Sequence, residues 1–166
     1  MRTFFNWLYK RAEYIDKEIL FDKLNVGEPL PRYLNENELS QIHNLDWLND
    51  FYKRIFLFYE NTGCRPSEPF DGELFGDWLI VEVEKSKSKK IRQIHLSDQS
   101  RETLCEMHQF RDIYAIRGSK NPNESAYHRL ATIMRKVVKD LGFLGKDISL
   151  KSFRHTYGIK RVTVTG

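Results

Sequence analysis

The sequence has 166 residues, of which 40% are hydrophobic and 30% are charged, so it can bury one hydrophobic core but hardly two. It has no apolar run near the roughly 20 residues of a membrane-spanning helix, and its first ten residues lack the uninterrupted apolar stretch of a signal peptide, so we expect a cytoplasmic protein. Its 27 Lys and Arg against 23 Asp and Glu give a net charge of +4, which permits a nucleic-acid partner without requiring one. Cys64 and Cys105 lack zinc-ligand spacing, and we expect reduced, structural thiols.

The first 32 residues differ in character from the rest of the chain. Residues 3–15 predict a helix that carries several aromatic side chains, as in the last helix of a domain whose remainder is absent from the sequence. Residues 25–32 contain Gly27, Pro29 and Pro31 and predict an extended linker, because proline disfavours helix at its own position and at the preceding one. We therefore expect the main domain to begin near residue 33.

The first half of the main domain predicts two helices and a hairpin. Asn35 followed by Glu38 has the form of a capping box, so a short helix should begin there. Residues 47–59 are so apolar that their helix should be central, and it should end at Gly63. Residues 78–84 and 91–96 predict two short antiparallel strands, which are joined by a lysine-rich loop.

Three further helices are expected in the second half. Ser97 can cap the first, and residues 118–123 form a polar loop after it. The second, over residues 127–141, has an apolar stripe that is interpreted as core, with Gly142 as its left-handed terminal residue. The third runs from Leu150 to about residue 159, and the chain then ends without a closing signal. The predicted fold class is α+β, mainly helical with a small antiparallel β-sheet.

Three basic clusters stand out at Arg65, at residues 85–90, and at Lys151 with Arg154. Arg65 directly follows the apolar helix, so its guanidinium should emerge at the edge of the core. Lys151 and Arg154 are three residues apart on a helix and share one face, where like charges repel unless an anion lies between them. Any one of these cations is most simply a solvated surface group. Together, two guanidinium forks and a mobile ammonium are what phosphoryl transfer without a metal needs.

Thr62-Gly-Cys-Arg-Pro-Ser-Glu68, then Lys87 nine residues before Leu96, then Lys151-Ser-Phe-Arg-His-Thr-Tyr157 resemble the successive boxes of the tyrosine recombinases, the phage integrase family. The resemblance implies a truncated catalytic-domain fold of that family over residues 33–166. It also implies that residues 1–24 are the last helix of a SAM-like core-binding domain and that residues 25–32 are the interdomain linker. Enzymes of this family break and rejoin DNA through a 3′-phosphotyrosyl intermediate, without a metal or another cofactor.

The resemblance also implies roles for single residues. Arg65 and Arg154 would bind the scissile phosphate, and Lys87 would be the general acid for the 5′-oxygen that leaves. Lys151 stands where the family usually has histidine, although some members carry lysine. Glu68 would orient the site, with a simple helix-start acid as the alternative.

Other residues near these boxes have supporting or structural roles. His155 is grouped with the supporting residues and interpreted as a buried, hydrogen-bonded structural histidine. Tyr157 is interpreted as a core aromatic and not as the nucleophile. The remaining cations of the hairpin would contact DNA backbone: Lys85, Lys89, Lys90 and Arg92.

The nucleophilic tyrosine of the family has no match in these 166 residues, so we expect this polypeptide to be inactive in cleavage. Double-stranded DNA is the expected partner. The intact protein would act as a homotetramer on paired sites, whereas the 166-residue chain would be a monomer. Two alternatives stay open: a fragment similar to a type IB topoisomerase, and a noncatalytic DNA-binding module whose cations contact phosphates.

Overall fold

A computed structural model describes residues 32–84 and 90–165, with side chains through residue 162. The chain divides into two units, Met1–Leu30 and Pro31–Gly166, and the description below concerns the second. The helix expected over residues 3–15 and nearly all of the expected linker therefore lie outside the described residues. The same holds for Lys85, Lys87 and Lys89 of the hairpin loop.

The described residues form six helices and one three-stranded sheet, which confirms the mainly helical α+β class. The helices are α1 (Glu36–His43), α2 (Asp50–Thr62), α3 (Glu68–Asp71), α4 (Asp98–Ile116), α5 (Pro122–Asp140) and α6 (Leu150–Thr165). The strands are β1 (Glu73–Phe75), β2 (Trp78–Val81) and β3 (Arg92–His95), and they form an antiparallel sheet in the order β1-β2-β3. None of the described helices combines the length and the apolar character needed to cross a bilayer.

Helix α1 begins as predicted, with a complete capping box. The Glu38 amide donates to Asn35 Oδ1 at 2.9 Å, and the Asn35 amide donates to Glu38 Oε2 at 3.0 Å. The Glu38 carboxylate is buried and also pairs with Arg32 and Lys146. These contacts satisfy the free amides at the start of the helix and fix α1 against the later part of the chain.

Helix α2 is central, as its composition predicts, but it begins later than expected. Asn49 accepts a hydrogen bond from the Phe51 amide at 2.8 Å and so caps the helix at Asp50. Trp47 consequently precedes the helix, where the Lys136 ammonium lies 4.0 Å from its ring centroid. The apolar face of α2 is fully buried and forms the middle of the core.

The sheet differs most from the sequence prediction. Strand β2 ends at Val81 and not at residue 84, and β1 was not predicted. Strand β1 has only three residues, Glu-Leu-Phe, and its two adjacent apolar side chains give no polar–apolar alternation in the sequence that would mark a strand. A tight turn that contains Gly76, at φ +57°, joins β1 to β2.

The last three helices follow the prediction with shifted ends. Ser97 caps α4, and Gly142 has the expected left-handed conformation, at φ +69°. Helix α5 begins at Pro122, inside the predicted loop, because Asn121 caps it and proline is compatible with the first helical position. Helix α6 extends to Thr165, beyond the predicted end near residue 159.

Helix α6 is held against α2 and against the start of the described unit. The rings of Phe56 and Phe153 stack with centroids 5.3 Å apart. The Leu34 amide donates to the buried Thr156 hydroxyl at 2.8 Å. This packing brings residues near 150–158 to the C-terminal end of α2, where the first basic cluster lies.

Candidate functional site

The loop after α2 is held by buried contacts. Gly63 ends the helix in the left-handed conformation, at φ 60° and ψ 26°, and Cys64 behind it is fully buried. The Tyr59 hydroxyl donates to the Pro66 carbonyl at 2.7 Å, and burial raises the pKa of this phenol well above its ordinary value. The loop therefore presents Arg65 from a fixed backbone, as its place after an apolar helix predicts.

Glu68 connects two arginines from different elements. Its side chain is only 3% exposed and accepts from the Arg65 amide at 2.7 Å and from Arg65 Nη1 at 3.0 Å. Arg92 Nη1, from β3, donates to the same carboxylate oxygen, Oε1, at 3.1 Å. A buried carboxylate needs such charged donors to offset its desolvation, and the same contacts fix both guanidinium groups in place.

The carbonyl oxygen of Gly63 is a second shared acceptor. Arg154 Nη1 from α6 donates to it at 2.7 Å, and Arg92 Nη2 donates to it at 3.3 Å. Burial lowers the pKa of the half-buried Arg154 guanidinium, and the charge of Arg92 adds to this effect. Because arginine still stays protonated, Arg154 is a partly desolvated cation beside other cations.

A cavity of about 440 Å³ lies at this point, and we call it the arginine cavity. The predicted site residues that line it are Arg65, Glu68, Lys151, Arg154 and His155. Arg65 comes from the loop before α3 and Glu68 is the first residue of α3, whereas the other three come from α6, far away in the sequence. The structure thus brings three of the four predicted catalytic residues together, and the fourth, Lys87, lies outside the described residues.

A neighbouring cavity of about 620 Å³, which we call the α6 cavity, shares Arg154 and His155 with the first. His155 is half-buried in the wall between them and not fully buried as expected. Tyr157 also lines the α6 cavity, and it is half-buried against Gly63 instead of lying in the core. The Arg161 guanidinium lies 5.6 Å from the centroid of its ring. Both differences arise because this turn of α6 borders the two cavities.

The two described hairpin cations that were predicted to contact DNA, Lys90 and Arg92, differ in their exposure to solvent. Lys90 is exposed next to β3. Arg92 instead turns toward the protein, with 24% of its side chain exposed, and binds Glu68 and Gly63. Its place in the strand determines this direction, since its partner in the register is the buried Val81.

Sequence reasoning missed several groups that form the site. Tyr127, assigned to the core stripe of α5, is half-buried and lines the arginine cavity with Pro66 and Ser67. The one sequence signal was that Tyr127 lies near the start of the helix, where side chains often lie outside the core. The Gly63 carbonyl carries no sequence signal, since every residue has one.

The two cysteines differ in their surroundings, so their rates of reaction with a thiol reagent can test whether the loop after α2 is closed. Burial raises the pKa of the Cys64 thiol to about 12, whereas Cys105 is exposed, so the expectation of structural thiols fits only Cys64. Because the thiolate is the reactive form, we expect a thiol reagent at neutral pH to label Cys105 rapidly and Cys64 only on unfolding. A Cys105→Ser variant should then show no fast labelling, and rapid labelling of Cys64 in that variant would mean that the loop opens in the folded state.

The charges around the arginine cavity favour an anionic ligand. Glu68 is the one carboxylate among four neighbouring cations of the described site: Arg65, Arg92, Lys151 and Arg154. A phosphate matches guanidinium forks in shape and in charge.

Within the described ranges, no group of three or more His, Cys, Asp or Glu side chains is placed to hold a metal ion. The comparisons with family models, curated proteins and solved structures found no match for this chain.

Proposed function

We propose that this chain is part of a site-specific DNA recombinase of the tyrosine recombinase type, and that the arginine cavity binds a phosphodiester of duplex DNA. The observation that supports this proposal most is the convergence of Arg65, Lys151 and Arg154 on one cavity. Their spacing in the sequence resembles the family boxes, and this resemblance is independent of the geometry. Scattered surface cations would have no reason to meet around a buried carboxylate.

The chemistry of the proposed site follows from the donors present. The guanidinium groups of Arg65 and Arg154 would bind the non-bridging oxygens of the phosphate and stabilise the charge of a pentavalent transition state. The buried Glu68 carboxylate and the Gly63 carbonyl already hold these groups, at 3.0 Å and 2.7 Å. The donors are thus ordered before the ligand arrives, which lowers the entropic cost of binding.

The two lysines would donate a hydrogen bond or a proton to oxygens of the reacting phosphodiester. Lys151 is exposed at the mouth of the cavity on the first turn of α6, where its ammonium can donate to the phosphate or to the attacking oxygen. Lys87 would protonate the 5′-oxygen as the bond from phosphorus breaks. The nucleophilic tyrosine of the family has no match in the 166 residues, so we propose that this chain binds DNA without cleaving it.

A DNA-binding measurement tests the proposal. We expect Arg65→Ala and Arg154→Ala each to weaken binding of a fluorescent duplex at least about tenfold, since a charge-assisted hydrogen bond contributes about 1.5–3 kcal/mol. Each variant should also lower the slope of log affinity against log salt by about 0.9, the value for one lost phosphate contact. A duplex with a methylphosphonate backbone, which lacks the charge, should not compete.

Arg101 provides the matched control for this experiment. It pairs with Asp77 and Asp98 on the surface near the start of α4, so Arg101→Ala should leave the affinity nearly unchanged. If Arg65→Ala and Arg154→Ala had no larger effect than this control, the proposed phosphate site would be wrong. Equal losses at all three arginines would favour a noncatalytic DNA-binding surface.

A further inference from the structure

We propose that Arg92 is a positioning residue, which holds Arg65 and Arg154 in the geometry that binds phosphate and does not itself contact the DNA. The inference rests on the proposed function of the arginine cavity. It replaces the expectation that Arg92 belongs with the hairpin lysines as a contact to the DNA backbone. Two observations carry it, namely the acceptors that Arg92 uses and the cavity that it faces.

Arg92 uses the same two acceptors as the other arginines. Its Nη1 shares Glu68 Oε1 with Arg65, at 3.1 and 3.0 Å. Its Nη2 shares the Gly63 carbonyl with Arg154, at 3.3 and 2.7 Å. One planar guanidinium therefore connects the acceptor of the first site arginine to the acceptor of the second. A lysine could not do this, because its single ammonium lacks the spread of a fork.

The position of Arg92 favours support over direct contact. The described lining of the arginine cavity contains Arg65, Lys151 and Arg154, whereas Arg92 lines the neighbouring α6 cavity. Its guanidinium is largely covered, with 24% of the side chain exposed. Both of its terminal nitrogens already donate to protein acceptors, so turning toward a phosphate would leave the buried Glu68 with one charged donor fewer.

Loss of Arg92 should act on the other arginines in two ways. Glu68 would attract Arg65 more strongly, since Arg65 would be its only ion-pair partner among the described residues. The Gly63 carbonyl would keep Arg154 as its only described side-chain donor, so the angle of that guanidinium would be less constrained. The first change pulls Arg65 toward Glu68 and the second loosens Arg154, so both donors depart from the geometry that binds phosphate although neither is removed.

The test combines substitutions at Arg92 with a double-mutant cycle on DNA affinity. We expect Arg92→Ala to weaken binding of the fluorescent duplex about fivefold, in the range typical of coupled neighbours. In an Arg154→Ala background the same change should cost only about twofold, because one of the two groups that Arg92 positions is gone and only the effect through Arg65 is left. Arg92→Lys, which keeps the charge but not the fork, should bind almost as weakly as Arg92→Ala. Arg101→Ala is the control, and urea unfolding of each variant shows that binding is measured on folded protein.

Four outcomes decide the matter. A coupled loss of affinity that lysine does not rescue, together with a nearly unchanged salt slope, supports the positioning role. Rescue by Arg92→Lys, or a salt slope lower by about 0.9 with an additive loss, would overturn it and make Arg92 a direct phosphate contact. If Arg65→Ala and Arg154→Ala weaken binding but Arg92→Ala does not, the positioning role is wrong while the proposed function stands. If none of the three substitutions weakens DNA binding, the proposed function itself is wrong.

Discussion

Replacement of Glu68 with alanine is expected to lower the free energy of unfolding by about 3 kcal/mol, the lower end of the range for removing one partner from a buried ion pair. The carboxylate is 3% exposed and serves the side chains of Arg65 and Arg92 and one backbone amide. Its loss leaves two cations without this shared carboxylate, and Arg92 keeps only the Gly63 carbonyl of its two described acceptors. The cost stays near the lower end because both guanidinium groups retain some contact with water. Urea unfolding at neutral pH measures the change.

Glu106 offers a matched control for this variant. It also forms a forked pair with an arginine, Arg54, at 2.9 Å, but both side chains are exposed to about 40%. Exposed pairs contribute roughly 0–1 kcal/mol, so Glu106→Ala should change the unfolding free energy little. An effect of Glu68→Ala no larger than that of Glu106→Ala would show that the buried cluster does not stabilise the fold.

The effect of the same variant on DNA binding has an informative sign. Removing a carboxylate makes the surface more positive, and Coulomb attraction alone would then strengthen binding of a polyanion. If Glu68 instead acts by ordering Arg65 and Arg92, Glu68→Ala weakens binding in spite of the added positive charge. Tighter binding by this variant would argue against an ordered phosphate site.

Replacement of Gly63 with alanine is the second change with a large expected effect. The residue has φ +60°, where a side chain costs about 1–2 kcal/mol, and an added Cβ would lie 2.3 Å from Cδ1 of the Tyr157 ring. Something must shift to relieve that overlap, at a further cost of about 1–3 kcal/mol. Since the Gly63 carbonyl holds Arg92 and Arg154, we also expect weaker DNA binding.

The Gly142→Ala variant separates the cost of the left-handed backbone from the cost of the overlap with the Tyr157 ring. It has a similar φ of +69°, but an added Cβ would meet no atom within 4 Å. Gly142→Ala should therefore show the backbone cost alone, in both thermal and urea unfolding. In a Tyr157→Ala background the cost of Gly63→Ala should fall toward that of Gly142→Ala, and an unchanged cost there would exclude the ring as the cause.

Local features of the fold follow from the sequence because short-range contacts produce them. The capping box of Asn35 and Glu38 and the cap at Ser97 involve side chains within three residues of the amides that they satisfy. The buried faces of α2 and α5 follow from apolar periodicity. The short strand β1 has no comparable signal, because pairing with β2 and not its own residue pattern holds it in place.

The candidate site also has one part that the sequence predicts and another part that only the packing determines. Arg65, Lys151 and Arg154 were proposed from residue types and spacing, since the chemistry of phosphate binding restricts which side chains can serve. Their meeting in one cavity depended on the packing of α6 against α2, through contacts such as that of Phe56 with Phe153. No local pattern encodes such a distance.

The sequence by itself determined the five longer described helices and the α+β class, and it predicted cations suited to a phosphate, because these depend on neighbours along the chain and on the chemistry of single side chains. The four-residue helix α3 was not predicted. Only the tertiary structure decided that Arg92 faces inward and that Tyr127 borders the cavity. It also decided that the Gly63 carbonyl serves two arginines. The physical reason is that a buried carboxylate and a buried carbonyl bind whichever donors the packing of distant elements brings within about 3 Å.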